Sequence, residues 1–230
     1  MQMDTAIPNQ DSVITINPAD CEPRKVYKLM TGLIVPRPIA LVSTVDRSGV
    51  RNLAPFSFFN GVGSVPPCVL FCPTVRSALP AHANPAGLKP GEQPDLRKDT
   101  LRNIEETGEF VVNIVNEAIS AGANAASSEV PPEVDEFVLA GLTPVASEVV
   151  RPPRVAESPA QMECKLMQVI YTSHAPGGGV IVLGEIVRFH LRKDLVEDFR
   201  VDPAALDAVG RMAGNTWVRT RDRIELIRPK

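Results

Sequence analysis

The chain has 230 residues, 44% of them apolar and 22% charged, which is ordinary for a folded domain and enough for one sizeable core. A formal net charge of −3 gives no general pull on a phosphate backbone, which argues against nucleic-acid binding as a primary role. No apolar run nears the roughly 20 residues that span a bilayer, and the opening MQMDTAIPNQDSV has neither the basic nor the apolar region of a signal peptide, so a cytoplasmic protein is expected.

Residues 1–20 read as an N-terminal tail and 21–230 as one domain. PRKVYKLMT (23–31) predicts a short helix with Val26, Leu29 and Met30 at helical spacing, ended by GLIVPRP. IALVSTV (39–45) is a β-branched strand, DRSG (46–49) is turn chemistry, and VRNLA returns, so 39–54 predicts a hairpin. NGVGS (60–64) lacks a third glycine and a following helix, so it reads as a loop and not as a nucleotide fingerprint. PPCVLFCP (66–73) is a third strand. Its Cys68 and Cys72 share a face, yet no histidine or second cysteine pair lies nearby, so they read as small buried thiols.

Residues 79–97 form a Pro/Gly-rich loop. KDTLRNIEETGEF (98–110) predicts a helix capped by Asp99 or Thr100, with Leu101 and Ile104 inward and Gly108 just past its end. FVVNIV (110–115) is a strand, and 116–128 and 133–140 look helical. Two longer strands follow at 162–172 and 180–191, then a helix at 203–213. On the last strand His190 reads as a structurally satisfied side chain, while Glu185, on the opposite face, needs an ion-pair partner or a place at a rim. Strands in runs, without strict βαβ alternation, argue for a mainly β protein: an antiparallel barrel with peripheral helices.

G-x-S-x-G, H-E-x-x-H, Walker and G-x-G-x-x-G motifs are absent, and three histidines leave little material for a catalytic triad. What remains are groups that hold phosphate and amide: Ser43 and Thr44 at a strand end, Ser57, Lys98, Asp99 and Thr100 at a helix start, and the loop cations Arg37 and Arg76. Together they suit a flat aromatic ligand carrying a phosphate. RNLAPFSFFNG (51–61) is apolar, broken by Pro55 and rich in hydrogen-bonding groups. Two readings stand for it from the residues alone. In one, proline frees backbone groups around Ala54–Phe58 to read a heterocycle; in the other, it is an edge strand whose aromatics fill the core.

PRPIALVSTVDRSGVRNLAPFSFF, KDTLRNIEETGEFVVNIV, MECKL and VLGEIV, in that order and spacing, resemble the flavin-reductase-like, FMN-binding split-barrel family, over roughly residues 25–220. The resemblance implies a Greek-key split β-barrel, a homodimer, and FMN held near the subunit interface. It maps flavin contacts onto Ser43, Thr44, Ala54, Pro55, Phe56, Ser57, Phe58, Lys98, Asp99 and Thr100, with Arg37 added. Family members commonly take hydride from NADH or NADPH onto flavin, and many pass reduced flavin to a separate monooxygenase. Shorter members often carry a histidine where this chain has Gly179; His174, on the same loop, is the nearest substitute on the nicotinamide side. Trp217 stands where the family usually has tyrosine, over the pocket, in the core or at an interface. The chemistry would reside in the flavin, with no side chain as general base. The resemblance thus implies an NAD(P)H:flavin oxidoreductase, with an FMN electron carrier or a flavoenzyme acting directly on an organic substrate as the alternatives.

Overall fold

The computed structural model describes residues 12–80, 82–83 and 94–229. The hairpin at 39–54 forms as expected. β1 (Ala40–Val45) pairs antiparallel with β2 (Arg51–Phe56), in a register that sets Val45 opposite Arg51 and Ala40 opposite Phe56. Its turn is built on Asp46, whose carboxylate accepts from the Ser48 hydroxyl and from the Val50 N–H at 2.8 Å, while Gly49 takes φ +93°. β1 is buried throughout because both its faces are covered. Ala40 and Val42 point into the barrel with Phe71, Leu101, Ile104, Phe110 and Val182. Leu41 points the other way, into a second cluster with Leu53, Val115, Phe137 and Leu142.

Among the described residues seven strands make one antiparallel sheet, in the order β2–β1–β5–β8–β9–β4–β3. The added strands are β3 (Phe59–Ser64), β4 (Pro67–Phe71), β5 (Glu109–Ile114), β6 (Pro144–Val145), β7 (Arg154–Val155), β8 (Ala160–Tyr171) and β9 (Val180–Leu191); β6 and β7 pair apart from the sheet. The outermost strands, β2 and β3, are consecutive in the chain and separated only by Ser57 and Phe58. Joining the two ends through two residues curls the sheet into a barrel that stays open between them, the split barrel the motifs implied. Pro55 sits on β2, an edge strand, where its missing N–H removes nothing from the ladder's inner side. The glycine of the LGE element is a packing requirement: a Cβ on Gly184 would lie 2.3 Å from the Phe110 ring.

Several boundaries differ from those expected. The 60–64 stretch is strand β3 and not a loop. Pairing with β4 overrides the poor strand propensity of Gly61 and Gly63, between which the register shifts. The first helix, α1 (Pro23–Leu33), runs two residues further than predicted and leaves Leu29 and Met30 partly exposed. The 98–110 helix is α2 (Asp99–Thr107), ended at Gly108 in the left-handed region as expected, with Leu101 and Ile104 fully buried. Its cap residue is Lys98, not Asp99 or Thr100, because those two side chains are engaged elsewhere. The 116–128 and 133–140 segments hold only the short helices α3 (Ser120–Ala125) and α4 (Glu136–Ala140).

The expected helix at 203–213 is a single turn, α5 (Pro203–Leu206), which stops where Asp207 takes φ +46°. After the two-residue strands β10 (Val196–Glu197) and β11 (Arg200–Val201), which precede that turn, the chain continues into β12 (Val209–Arg211), paired with β13 (Trp217–Arg219). The competing force is tertiary: Arg37 and Arg211 exchange both backbone hydrogen bonds, at 3.0 and 2.8 Å. Most of the loop expected at 79–97 lies outside the described residues. None of the described helices is long and apolar enough to cross a membrane.

Candidate functional site

A cleft of about 330 Å³ lies between the outer edge of β2 and the start of α2. β2 contributes Asn52, Ala54, Pro55 and Phe56; α2 contributes Lys98, Asp99 and Thr100. Arg76 closes one side, and Ser127, Ser128 and Glu129, just after α3, close another.

The start of α2 is the most polar wall. No side chain caps it. The first-turn N–H groups of a helix have no intrahelical partner, and with the helix dipole they favour an anion. Asp99, in the first turn, does not fill that role freely: its carboxylate is held by the Arg76 guanidinium at 2.8 Å and by Arg102. The Thr100 hydroxyl accepts from the Asn52 amide at 2.9 Å. Lys98 reaches back over Phe56, with Nζ 5.8 Å from the ring centroid. Burial, helped by the nearby charge of Arg76, holds the Lys98 ammonium below the usual lysine range. Burial also lowers Arg76, against the opposing pull of Glu129 and Asp95. On the far wall Glu136 is nearly buried and accepts from the Leu53 N–H at 3.2 Å; burial pushes its carboxyl up.

This arrangement joins two cations, hydroxyls and an uncapped helix start at one end of the cleft to an apolar edge strand along its side. It suits a ligand with an anionic end and a flat apolar body. Among the described residues no group of three or more His, Cys, Asp and Glu side chains could hold a metal ion, and all four cysteines are free thiols.

Of the residues singled out by sequence, Ala54, Pro55, Phe56, Lys98, Asp99 and Thr100 line the cleft together. The others do not. Ser43 lies wholly inside, its hydroxyl donating to the Pro153 carbonyl on the opposite face of β1. Thr44, also wholly buried, accepts from the Asn52 and Asn103 amides at 3.1 and 3.0 Å and so supports the floor from beneath. Arg37 is a buried clamp: it donates to the carbonyls of Thr31, Ile34 and Met212 and to the Ser57 hydroxyl, and stacks over Phe58. Ser57 and Phe58 therefore serve the corner between β2 and β3. His174 is exposed and stacks on Tyr171 at 4.3 Å between centroids, away from the lining. Trp217 packs against the second core cluster under Arg211.

Sequence reasoning missed Asn52, Ser127, Ser128, Glu129 and Glu136 as wall residues. Asn52 had a signal, an amide at an inward-facing strand position, where a polar group needs a partner. The 127–129 segment and Glu136 had none, since only the folded chain brings them beside β2. His190 is satisfied as expected, with Nε2 2.6 Å from the buried Glu163 carboxylate. Glu185 is half-buried and stands between Cys68 on β4 and Lys165 on β8, its partners on the two flanking strands.

An antiparallel barrel open at one seam, with an anion-accepting corner beside that seam, has the architecture of the flavin-binding split barrels. Residues 31–212 match the family model of the flavin reductase like domain, and the chain belongs to that family. It is 37% identical to an uncharacterised protein of Halalkalibacterium halodurans over 217 residues, 93% of this chain and 96% of that one. Among solved structures it is similar to nitrilotriacetate monooxygenase component B from Bacillus cereus, with 36% identity, a TM-score of 0.81, and 94% and 99% of the two chains covered. It is also similar to the Pseudomonas fluorescens 2-nitrobenzoate 2-nitroreductase NbaA, with 31% identity, a TM-score of 0.77, and 94% and 96% coverage. The family, the fold and the flavin-linked oxidoreductase class are those implied by the sequence motifs.

Proposed function

We propose that the cleft holds FMN and that the protein is an NAD(P)H:flavin oxidoreductase. The observation that carries this reading is the start of α2, which has no side-chain cap and opens with Lys98 onto a cleft walled by an edge strand. The residues fit the cofactor: Lys98, Arg76, Thr100 and the first-turn N–H groups would take the phosphate, while Ala54, Pro55 and Phe56 would lie along the ring system. Flavin, once bound, supplies the hydride-accepting chemistry; the chain's own residues bind it and orient it.

The B. cereus relative is by name one component of a monooxygenase, which supports a role supplying reduced flavin to a separate oxygenase. Exposed apolar side chains on α1 and on β8 and β9, among them Met30, Leu33, Met167 and Phe189, support a homodimer. A second reading, direct reduction of an organic substrate, is favoured by the similarity to a nitroreductase.

Purified protein titrated with FMN should quench flavin fluorescence at a one-to-one ratio of FMN to subunits, and anaerobic NADH or NADPH should then bleach the bound flavin. Flavin that binds yet bleaches only when another reduced protein is added would replace the reductase by an electron carrier. No binding at all would remove the cleft from consideration.

A further inference from the structure

We propose that Glu129 holds the place of the ligand's phosphate at Arg76 and thereby sets how strongly the site prefers phosphate-bearing flavins. This rests on the reading of the cleft as an FMN site. The Arg76 side chain is only 13% exposed and is fixed on one side, where Nη1 donates to the Arg97 carbonyl and Nη2 to Asp99 at 2.8 Å. Its remaining edge, Nε, faces the Glu129 carboxylate at 3.6 Å. That separation is too long for a hydrogen bond, and the Glu129 side chain is 59% exposed. The charge of Glu129 also reaches Lys98. One solvent-facing carboxylate thus stands before both cations of the anion-accepting corner.

A phosphate dianion entering that corner meets like charge. It can take the Arg76 Nε edge only as Glu129 swings into water, and a loose exposed ion pair yields at little cost. A flavin without phosphate leaves the pair in place. Glu129 therefore weakens FMN binding selectively, while Asp99, clasped by two arginines, stays put.

The test is fluorescence titration of the full chain with FMN and with riboflavin, in wild type, Glu129→Gln and Glu129→Ala, with circular dichroism confirming the fold. Both variants should bind FMN about threefold or more tighter, with riboflavin affinity unmoved. FMN binding that is unchanged or weaker, or a gain shared equally by riboflavin, overturns the role of Glu129. The two readings fail separately. Wild-type protein that binds FMN no better than riboflavin removes the phosphate corner itself, whereas a clear FMN preference untouched by Glu129→Gln removes only the place-holder.

Discussion

The Asn52 amide donates to the Thr100 hydroxyl at 2.9 Å and so ties the edge strand of the barrel to the first turn of the helix facing it. The same nitrogen also reaches Thr44 Oγ1 at 3.1 Å, and Asn103 approaches that oxygen from α2. Both walls of the cleft are therefore fixed relative to each other by one small buried network. Asn52→Ala leaves these hydroxyls short of a donor and opens space. It should cost about 1–3 kcal/mol in urea unfolding and weaken FMN binding as well. Unchanged stability with unchanged FMN affinity would show that the network holds nothing in place.

Lys98 connects burial to binding. Lys98→Ala should weaken FMN by about 1.5–3 kcal/mol and riboflavin by much less, because what is lost is a charge-assisted contact to phosphate. Burial lowers the Lys98 pKa, so its charge is lost at lower pH than an ordinary lysine's. FMN affinity should then decline as pH rises while still below the usual lysine range of about 10.4. Lys98→Arg, whose guanidinium stays protonated, should flatten that profile. Titrating FMN across this range in both proteins checks the slope; equal slopes would place the titrating group elsewhere.

How much of this was legible in the sequence depended on whether the signal was local. The hairpin at 40–56 was readable because Asp46 and Gly49 encode the turn within four residues, and α2 because Gly108 marks its end. β3 was not readable, since Gly61 and Gly63 argue against a strand until β4 is laid beside them. The same holds within the site. Lys98, Asp99 and Thr100 stand at a recognisable helix start, and Pro55 marks an edge. Ser43 and Thr44 carry the same hydroxyl chemistry, but β1 is covered on both faces, so their oxygens meet Pro153, Asn52 and Asn103 outside the cleft lining. Arg37 reads only as a loop cation in the sequence because the carbonyls that hold it come from α1 and from Met212, far along the chain.

Glu163 is a wholly buried carboxylate that stabilises the fold. It accepts from the backbone N–H groups of Glu148, Val149 and Val150 at 2.8, 2.6 and 3.0 Å, and His190 Nε2 lies 2.6 Å away. Burial alone would raise its pKa; the N–H of Glu148, the His190 ring and the two further N–H groups together pull it below the usual value. A depressed carboxyl contributes stability that is present above its unfolded pKa of about 4.3 and is lost as pH falls through the folded value. Glu163→Gln should cost about 2–4 kcal/mol near neutral pH, with the gap to wild type closing as the medium becomes acid. Urea unfolding of both proteins over that range measures it, and a pH-independent gap would contradict the linkage.

Glu136 has the opposite sign. It lies against β2 with the Leu53 N–H as its ladder-edge donor, and neighbouring Asp135 adds like charge, although Asp135 itself pairs with Arg51. Burial first and Asp135 second raise its pKa above the unfolded value, against the pull of Leu53 and its own N–H. A raised carboxyl contributes stability that is fully present below the unfolded pKa and is lost as pH rises through the folded one. At neutral pH the ionised side chain therefore weakens the fold. Glu136→Gln keeps the acceptor for Leu53 and removes the charge, so it should raise Tm at neutral pH by about 2–4 °C, what ~1 kcal/mol gives in a domain of this size. Below about pH 4, where wild-type Glu136 is itself protonated, the two proteins should melt together. A variant that melts lower than wild type at neutral pH would mean that the charge is stabilising, and that the Leu53 contact outweighs the burial.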